Sequence, residues 1–343
     1  MKSISPNIIR QLFVLLLIIF LGALIFGEMM PYLSGVLGAV TIYVLMRGWM
    51  KNLTKKKGWN PDLAAALLMF ISFVGILLPV SGIILMLGNK IGNAVKNSEE
   101  VIQAFKAQLD DWEGRLGYDL TSQINTSEIS SWISTQLQSF AGGTFDMFIA
   151  IGLMYFMLYY MFTDRKQMRS SLFNYIPISD KNLKVIGNEA NAKVRANAIG
   201  IPLVALAQGV VALIGFFIFG IEDPLFWFVI TTIGSMIPFI GTLVGILPVF
   251  ILTLSAGDTF QAWGILLYGF IVVGSTDNIF RMYALKKLDD IHPLITFIGV
   301  VVGVPLFGFI GLIFGPLLIS LFLIIVRIYR EEYGKPATPE EKL

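Results

Sequence analysis

Apolar residues in this chain come in long blocks separated by short polar joints, and not in the strict alternation that marks half-buried strands. The blocks cover residues 12–26, 31–46, 63–87, 145–162, 199–219, 225–254, 260–280 and 293–326. A helix needs about 17 to 25 apolar residues to cross about 30 Å of hydrocarbon. Four of the eight blocks have that length, and the first two fall one or two residues short of it. The pattern predicts an all-α polytopic membrane protein with about eight hydrophobic segments.

Two blocks are too long for one span. Residues 225–254 would make a straight helix about 45 Å long, and 293–326 a longer one. Each is interrupted near its middle. The first carries Pro238, Gly241, Gly245 and Pro248, and the second Gly303, Pro305, Gly308, Gly311, Gly315 and Pro316. Proline removes a helix hydrogen bond and crowds the preceding turn, and glycine tolerates the resulting bend. Two architectures fit: a hairpin of two half-length helices, or one kinked and tilted helix per block.

Charge separates these options. Lys2 and Arg10 precede the first block; Arg47, Lys51, Lys55, Lys56 and Lys57 follow the second; seven basic residues lie between Arg165 and Arg195; Arg281, Lys286 and Lys287 follow the seventh; Arg327, Arg330, Lys335 and Lys342 close the chain. Placing all of these on the cytoplasmic side puts 21 of the 25 lysines and arginines inside, as the positive-inside rule favours, with both termini cytoplasmic. Each long block must then begin and end on one side, which favours hairpins. A single tilted helix per block leaves Arg281, Lys286 and Lys287 outside.

The remaining polar stretch, between the third and fourth blocks, has its own periodicity. Val101, Ile102, Phe105, Leu109, Trp112 and Leu116 recur at helical spacing among acids, and Ile129, Trp132, Ile133, Leu137 and Phe140 do so again. Both predict amphipathic helices outside the membrane, lying on its surface, packing against a neighbouring subunit or capping the bundle. The expected organisation is a three-span region at 1–88, these helices at 89–140, a fourth span with a basic linker at 141–197, a core at 198–326 and a tail at 327–343.

Composition agrees with this reading. Of the 343 residues 56% are hydrophobic and 14% charged, against roughly 25% charged in a soluble domain. The net charge of +2 gives no reason to expect a nucleic-acid partner. With no cysteine and one histidine, disulfides are excluded, and no metal site or other cofactor is expected.

The two long blocks resemble each other. Asp223-Pro224-Leu225 leads to Ile237-Pro238-Phe239-Ile240-Gly241, then Pro248; His292-Pro293-Leu294 leads to Val304-Pro305-Leu306-Phe307-Gly308, then Pro316. A full span precedes each, and the charges give the two units opposite orientations. This predicts an inverted repeat, 198–255 against 260–326. In secondary transporters broken helices in such repeats hold the substrate near the midplane. The alternative is a pair of oligomer contacts built on small residues. The candidate solute path comprises Gln208, Ser235, Pro238, Gly241, Thr242, Asn278, Gly303, Pro305 and Gly308. Asp277, an acid at membrane depth, is the candidate for ion coupling, with a structural pair to Arg281 one turn on as its rival.

At these residues the sequence resembles the autoinducer-2 exporter-like (AI-2E) family of bacterial transporters. The resemblance is carried by Ile237 to Gly241, by Gly245 to Pro248, by Asp277-Asn278, by Gly303-Val304-Pro305 and by Gly311 to Leu317. It implies a homo-oligomer in the bacterial cytoplasmic membrane, with hairpins that move in an elevator-like way. It also implies export of a small polar signal such as autoinducer-2, or sodium/proton antiport. The chain departs from the family at Ser275-Thr276-Asp277-Asn278, where members often carry Glu-Asp or Glu-Asn.

Three functions fit the sequence to different degrees. A secondary transporter accounts for the broken helices, and no Gly-x-x-x-x-Gly-Lys-Ser/Thr loop is present to drive transport with ATP. An intramembrane enzyme lacks a His-Glu-x-x-His motif and a cysteine nucleophile. A partner-binding membrane protein could use the acidic outer helices, and it leaves the broken blocks unexplained.

Overall fold

The computed structural model describes residues 6–96, 131, 135, 144–165, 167, 178–238, 241–276 and 293–333. Every regular element among them is helical. In chain order the main helices are α1 (Pro6–Met29), α2 (Leu33–Lys51), α3 (Pro61–Lys96), α4 (Thr144–Thr163), α5 (Asp180–Ile218), α6 (Pro224–Gly234), α7 (Leu243–Ser255), α8 (Thr259–Tyr268), α9 (Pro293–Phe307) and α10 (Gly311–Tyr333). Five helical stretches among the described residues are long and apolar enough to cross a membrane: Ile9–Lys56, Pro61–Ile83, Asp180–Ile218, Thr259–Thr276 and Leu294–Arg330. Helices α4, α6 and α7 supply shorter apolar segments.

Proline marks where two of the helices start. α3 and α6 open on Pro61 and Pro224, a position where the missing N–H would be unpaired in any case. Interior prolines at 79, 202, 248, 305 and 316 are tolerated as membrane helices tolerate them.

Two boundaries differ from the sequence reading. α1 and α2 are joined by one 3₁₀ turn, Met30–Tyr32, whose flanking residues keep right-handed helical dihedrals. The two helices do not lie side by side, and the described residues of α1 are exposed along its length. α5 begins at Asp180, so residues 180–197 of the basic linker form the polar first half of a 39-residue helix. Ser179 caps it by accepting from the Asn182 amide at 3.4 Å, and the asparagines and lysines that follow do not interrupt a helix already nucleated.

α5 organises the rest. Its first half packs Val194 against Val44 of α2 and against Phe314 and Leu317 of α10. Its second half packs Ala212 and Phe216 against Ile246 of α7 and Ile265 of α8. A separate cluster of Ala39, Leu68, Leu158 and Phe162 joins α2, α3 and α4. In a bilayer such contacts gain little from the hydrophobic effect, so close packing and buried hydrogen bonds hold the helices together. Asn197 provides one such bond, its Nδ2 donating to the Ile313 carbonyl of α10 at 2.9 Å. That carbonyl is next to the one Pro316 leaves without its helical donor. The amphipathic stretches expected at 101–116 and 129–140 lie outside the described residues, apart from Ser131 and Thr135, which are helical.

Candidate functional site

α6 and α7 fold back on one another. A Cβ on Gly241 would overlap the Gly234 carbonyl, and one on Gly245 would overlap Thr231, so the pairing runs antiparallel with backbone nearly touching backbone. The turn between them includes residues 235–238, 241 and 242. Its Ser235, Met236, Ile237 and Gly241 amides donate to the carbonyls of Thr231, Ile233, Gly234 and Ile237 at 2.8, 3.2, 2.8 and 3.0 Å. The break was expected to leave backbone amides free for a ligand. Those four are satisfied inside the turn, and polar side chains stand beside them.

Two of these side chains stand out. Gln208 of α5 is 3% exposed and Ser235 of the turn 7%, and neither Gln208 Oε1 nor Ser235 Oγ has a hydrogen-bond partner. Leaving a buried polar atom unpaired costs about 1–3 kcal/mol, so each such atom needs an explanation. Gln208 precedes Gly209, whose missing Cβ admits Thr232 and Phe228 of α6. Ser235 lies three residues beyond Thr232. Both residues therefore lie within one turn, in sequence, of the α5–α6 contact at Gly209 and Thr232. Thr231 and Thr232 donate to the Trp227 and Phe228 carbonyls at 2.7 Å each, which leaves their oxygens acceptor capacity only. Pro238 and Gly241 are buried in the turn and Thr242 is half-buried.

α9 and α10 form a second folded-back pair of different character. A Cβ on Gly303 would lie 2.6 Å from the Gly311 carbonyl, and Gly299 and Gly315 meet in the same way. Gly303 is thus buried as a packing position. Pro305 and Gly308 are exposed, and Gly308 makes the turn with φ +63°. The tip rests on α2, with Phe307 and Ile310 beside Leu37 and Val40. The two hairpins do not pack extensively on each other; each packs on α5. Of the expected path residues, Gln208, Ser235, Pro238, Gly241 and Thr242 gather at the first hairpin, and Gly303, Pro305 and Gly308 stand apart at the second. Asp277, Asn278, Arg281 and His292 lie outside the described residues.

α8 leads toward Asp277 through a π-helical segment, Gly269–Val273. Thr276 Oγ1 donates to the Val272 carbonyl at 2.8 Å, and Ser275 donates to Ile271. Local widening of this kind recurs at functional sites. The sequence reading missed Asn197 and gave Ser320 no place in the solute path. Ser320 Oγ is buried without a partner on α10. A polar residue at the edge of, or inside, an apolar block was the available signal for both.

Long apolar helices, proline-broken hairpins and buried polar side chains define a polytopic membrane protein of the transporter class. The chain belongs to the AI-2E transporter family, whose profile, described as AI-2E family transporter, matches residues 13–331. A protein of Aquifex aeolicus named "Putative transport protein" is 26% identical over 301 residues, covering 80% of this chain and 84% of that one. "Putative transport protein YdiK" of Escherichia coli is 30% identical over 151 residues, 44% of this chain and 40% of that protein. A Treponema pallidum protein also named "Putative transport protein" is 29% identical over 177 residues, 50% and 43% of the two chains. The matched segments thus span less than half of these last two proteins.

Proposed function

We propose that this protein is a secondary transporter, not an enzyme, and that it exports a small polar solute of the autoinducer-2 kind across the bacterial cytoplasmic membrane by alternating access. The observation that carries this reading is the pair of buried, unpartnered oxygens on Gln208 and Ser235 beside the α6–α7 hairpin. A solute rich in hydroxyl groups would donate to both and relieve their desolvation. In this reading both hairpins enter and leave on one side, the units 198–255 and 260–326 form an inverted repeat, both termini are cytoplasmic and the protein works as a homo-oligomer.

A second reading, sodium/proton antiport, is favoured by Asp277 at the end of the α8 span. Proteoliposome uptake separates the two. Autoinducer-2 flux that responds to a proton or sodium gradient supports solute export. Sodium-dependent proton flux without solute supports antiport. Neither flux from correctly folded protein defeats both. Cysteine labelling of residues 282–290 from the outside, in this cysteine-free chain, would overturn the re-entrant topology.

A further inference from the structure

A cleft of about 640 Å³ opens where α2 and α4 end and α3 begins, far along the chain from the hairpin site. Arg47, Lys51, Lys55 and Arg165 line it, with Asp164 as the one carboxylate among the described lining residues. Among the described residues none of these four cations has an ion-pair partner. Arg47 donates instead to the neutral Asn191 Oδ1 at 2.8 Å, so its charge is held in place without being neutralised. Tyr43, Met50 and Phe162 make the floor apolar.

The depth of the cleft can be read from its walls. Each of the three helices passes from apolar to polar sequence at this point: α2 after Met46, α4 after Thr163, and α3 in the reverse sense at Leu63. Trp49 of α2 and Trp59, just before α3, stand next to these transitions in sequence and are 57% and 45% exposed, as indole rings are at the headgroup level of a bilayer. A mouth of uncompensated cations above an apolar floor, at headgroup depth, matches a phosphate ester attached to acyl chains. It matches a fully hydrated anion poorly, since such an ion gains nothing from Tyr43, Met50 and Phe162. Basic pockets between membrane helices bind anionic headgroups by this chemistry.

We propose that this cleft is a binding site for an anionic phospholipid, with Lys51, Lys55 and Arg165 holding the phosphate and Arg47 fixed behind them by Asn191. The site joins α2, α3 and α4, so bound lipid would clamp the three helices that the Ala39–Leu158 cluster already brings together. The proposal does not depend on the transport reading.

The test uses the purified full chain in detergent, titrated with phosphatidylglycerol or phosphatidylcholine, with bound lipid counted by native mass spectrometry and stability followed by thermal unfolding. The expected result is tighter binding and greater stabilisation by phosphatidylglycerol. K51Q/K55Q/R165Q should lose that preference by on the order of tenfold or more, since each basic residue near an anionic surface is worth about fivefold. The charge-preserving K51R/K55R/R165K should keep it. K181Q/K184Q, which removes exposed charge on α5, should leave it unchanged. If the triple glutamine variant does not fold, R165Q alone should still weaken binding several-fold. An unchanged phosphatidylglycerol preference in the glutamine variants overturns the proposal. So does an equal loss in K181Q/K184Q, or full competition by millimolar inorganic phosphate, which would mark the cleft as a site for free anions.

Discussion

The two folded-back pairs share a sequence pattern and differ in what they bury. The α6–α7 pair meets at a turn that includes residues 235–238, 241 and 242, and buries Thr231, Ser235, Pro238 and Gly241 near Gln208. The α9–α10 pair is joined by the short turn Gly308–Ile310 and interlocks through Gly299, Gly303, Gly311 and Gly315, with an exposed Pro305 at its tip. Four glycines make the second pair a rigid packed unit. Hydroxyls and one amide make the first a polar one. A repeated Pro-x-x-Gly therefore marks where a helix breaks, while the residues around it decide whether the break can hold a solute.

Substitutions at the two pairs should separate these roles. The largest effect is expected at the second pair. Gly315→Leu pushes a side chain into the Gly299 backbone, and overpacking of this kind costs on the order of 3 kcal/mol. Thermal unfolding in detergent should show a large drop with transport lost alongside; an unchanged melting temperature would mean the helices can separate without cost. At the first pair stability and function should part. Ser235→Ala and Gln208→Leu each remove an unpaired buried oxygen, so folding should hold or improve by about 1 kcal/mol. Transport should fall at least tenfold; variants that transport normally would make both residues packing positions.

Between the two pairs, Asn197→Ala removes the 2.9 Å bond to Ile313 and should cost about 1 kcal/mol, because α5 and α10 lose a link beside a proline break. Calorimetry that finds no change would make the bond incidental. The smallest effect is expected at Pro305→Ala. The ring is exposed at the tip, and its removal should shift stability by less than about 0.5 kcal/mol with flux retained. A strong loss of flux there would restore the second tip to the solute path.

Much of this architecture was legible beforehand because helix formation and span length are local. The apolar blocks at 63–87 and 145–162 correspond closely to α3 and α4, and Pro238 and Gly308 fall inside the two turns. The first half of α5 was less legible. Asp180 to Asn197 is polar because it extends beyond the apolar block, and polarity by itself does not distinguish a loop from a solvated helix. The first joint was misleading for a related reason. Gly27, Glu28 and Pro31 read as a break between two spans, yet a proline near the start of a helical turn is compatible with continued right-handed winding.

Within the candidate site the same division holds. Gln208, Ser235 and Thr242 could be nominated because polar residues in apolar blocks are few. Their separation from Gly303, Pro305 and Gly308 could not be anticipated, since the two hairpins meet α5 at different heights and sequence similarity carries no distances.

The sequence by itself determined a helical membrane protein of the AI-2E family, with spans of given length and breaks at given prolines and glycines. These follow from hydrocarbon thickness, from the missing proline N–H and from the order of motifs along the chain. Only the tertiary structure decided that α5 carries both hairpins and that three polar oxygens, on Gln208, Ser235 and Ser320, are buried without partners. Those depend on which surfaces meet across large sequence separations, and no local pattern encodes that.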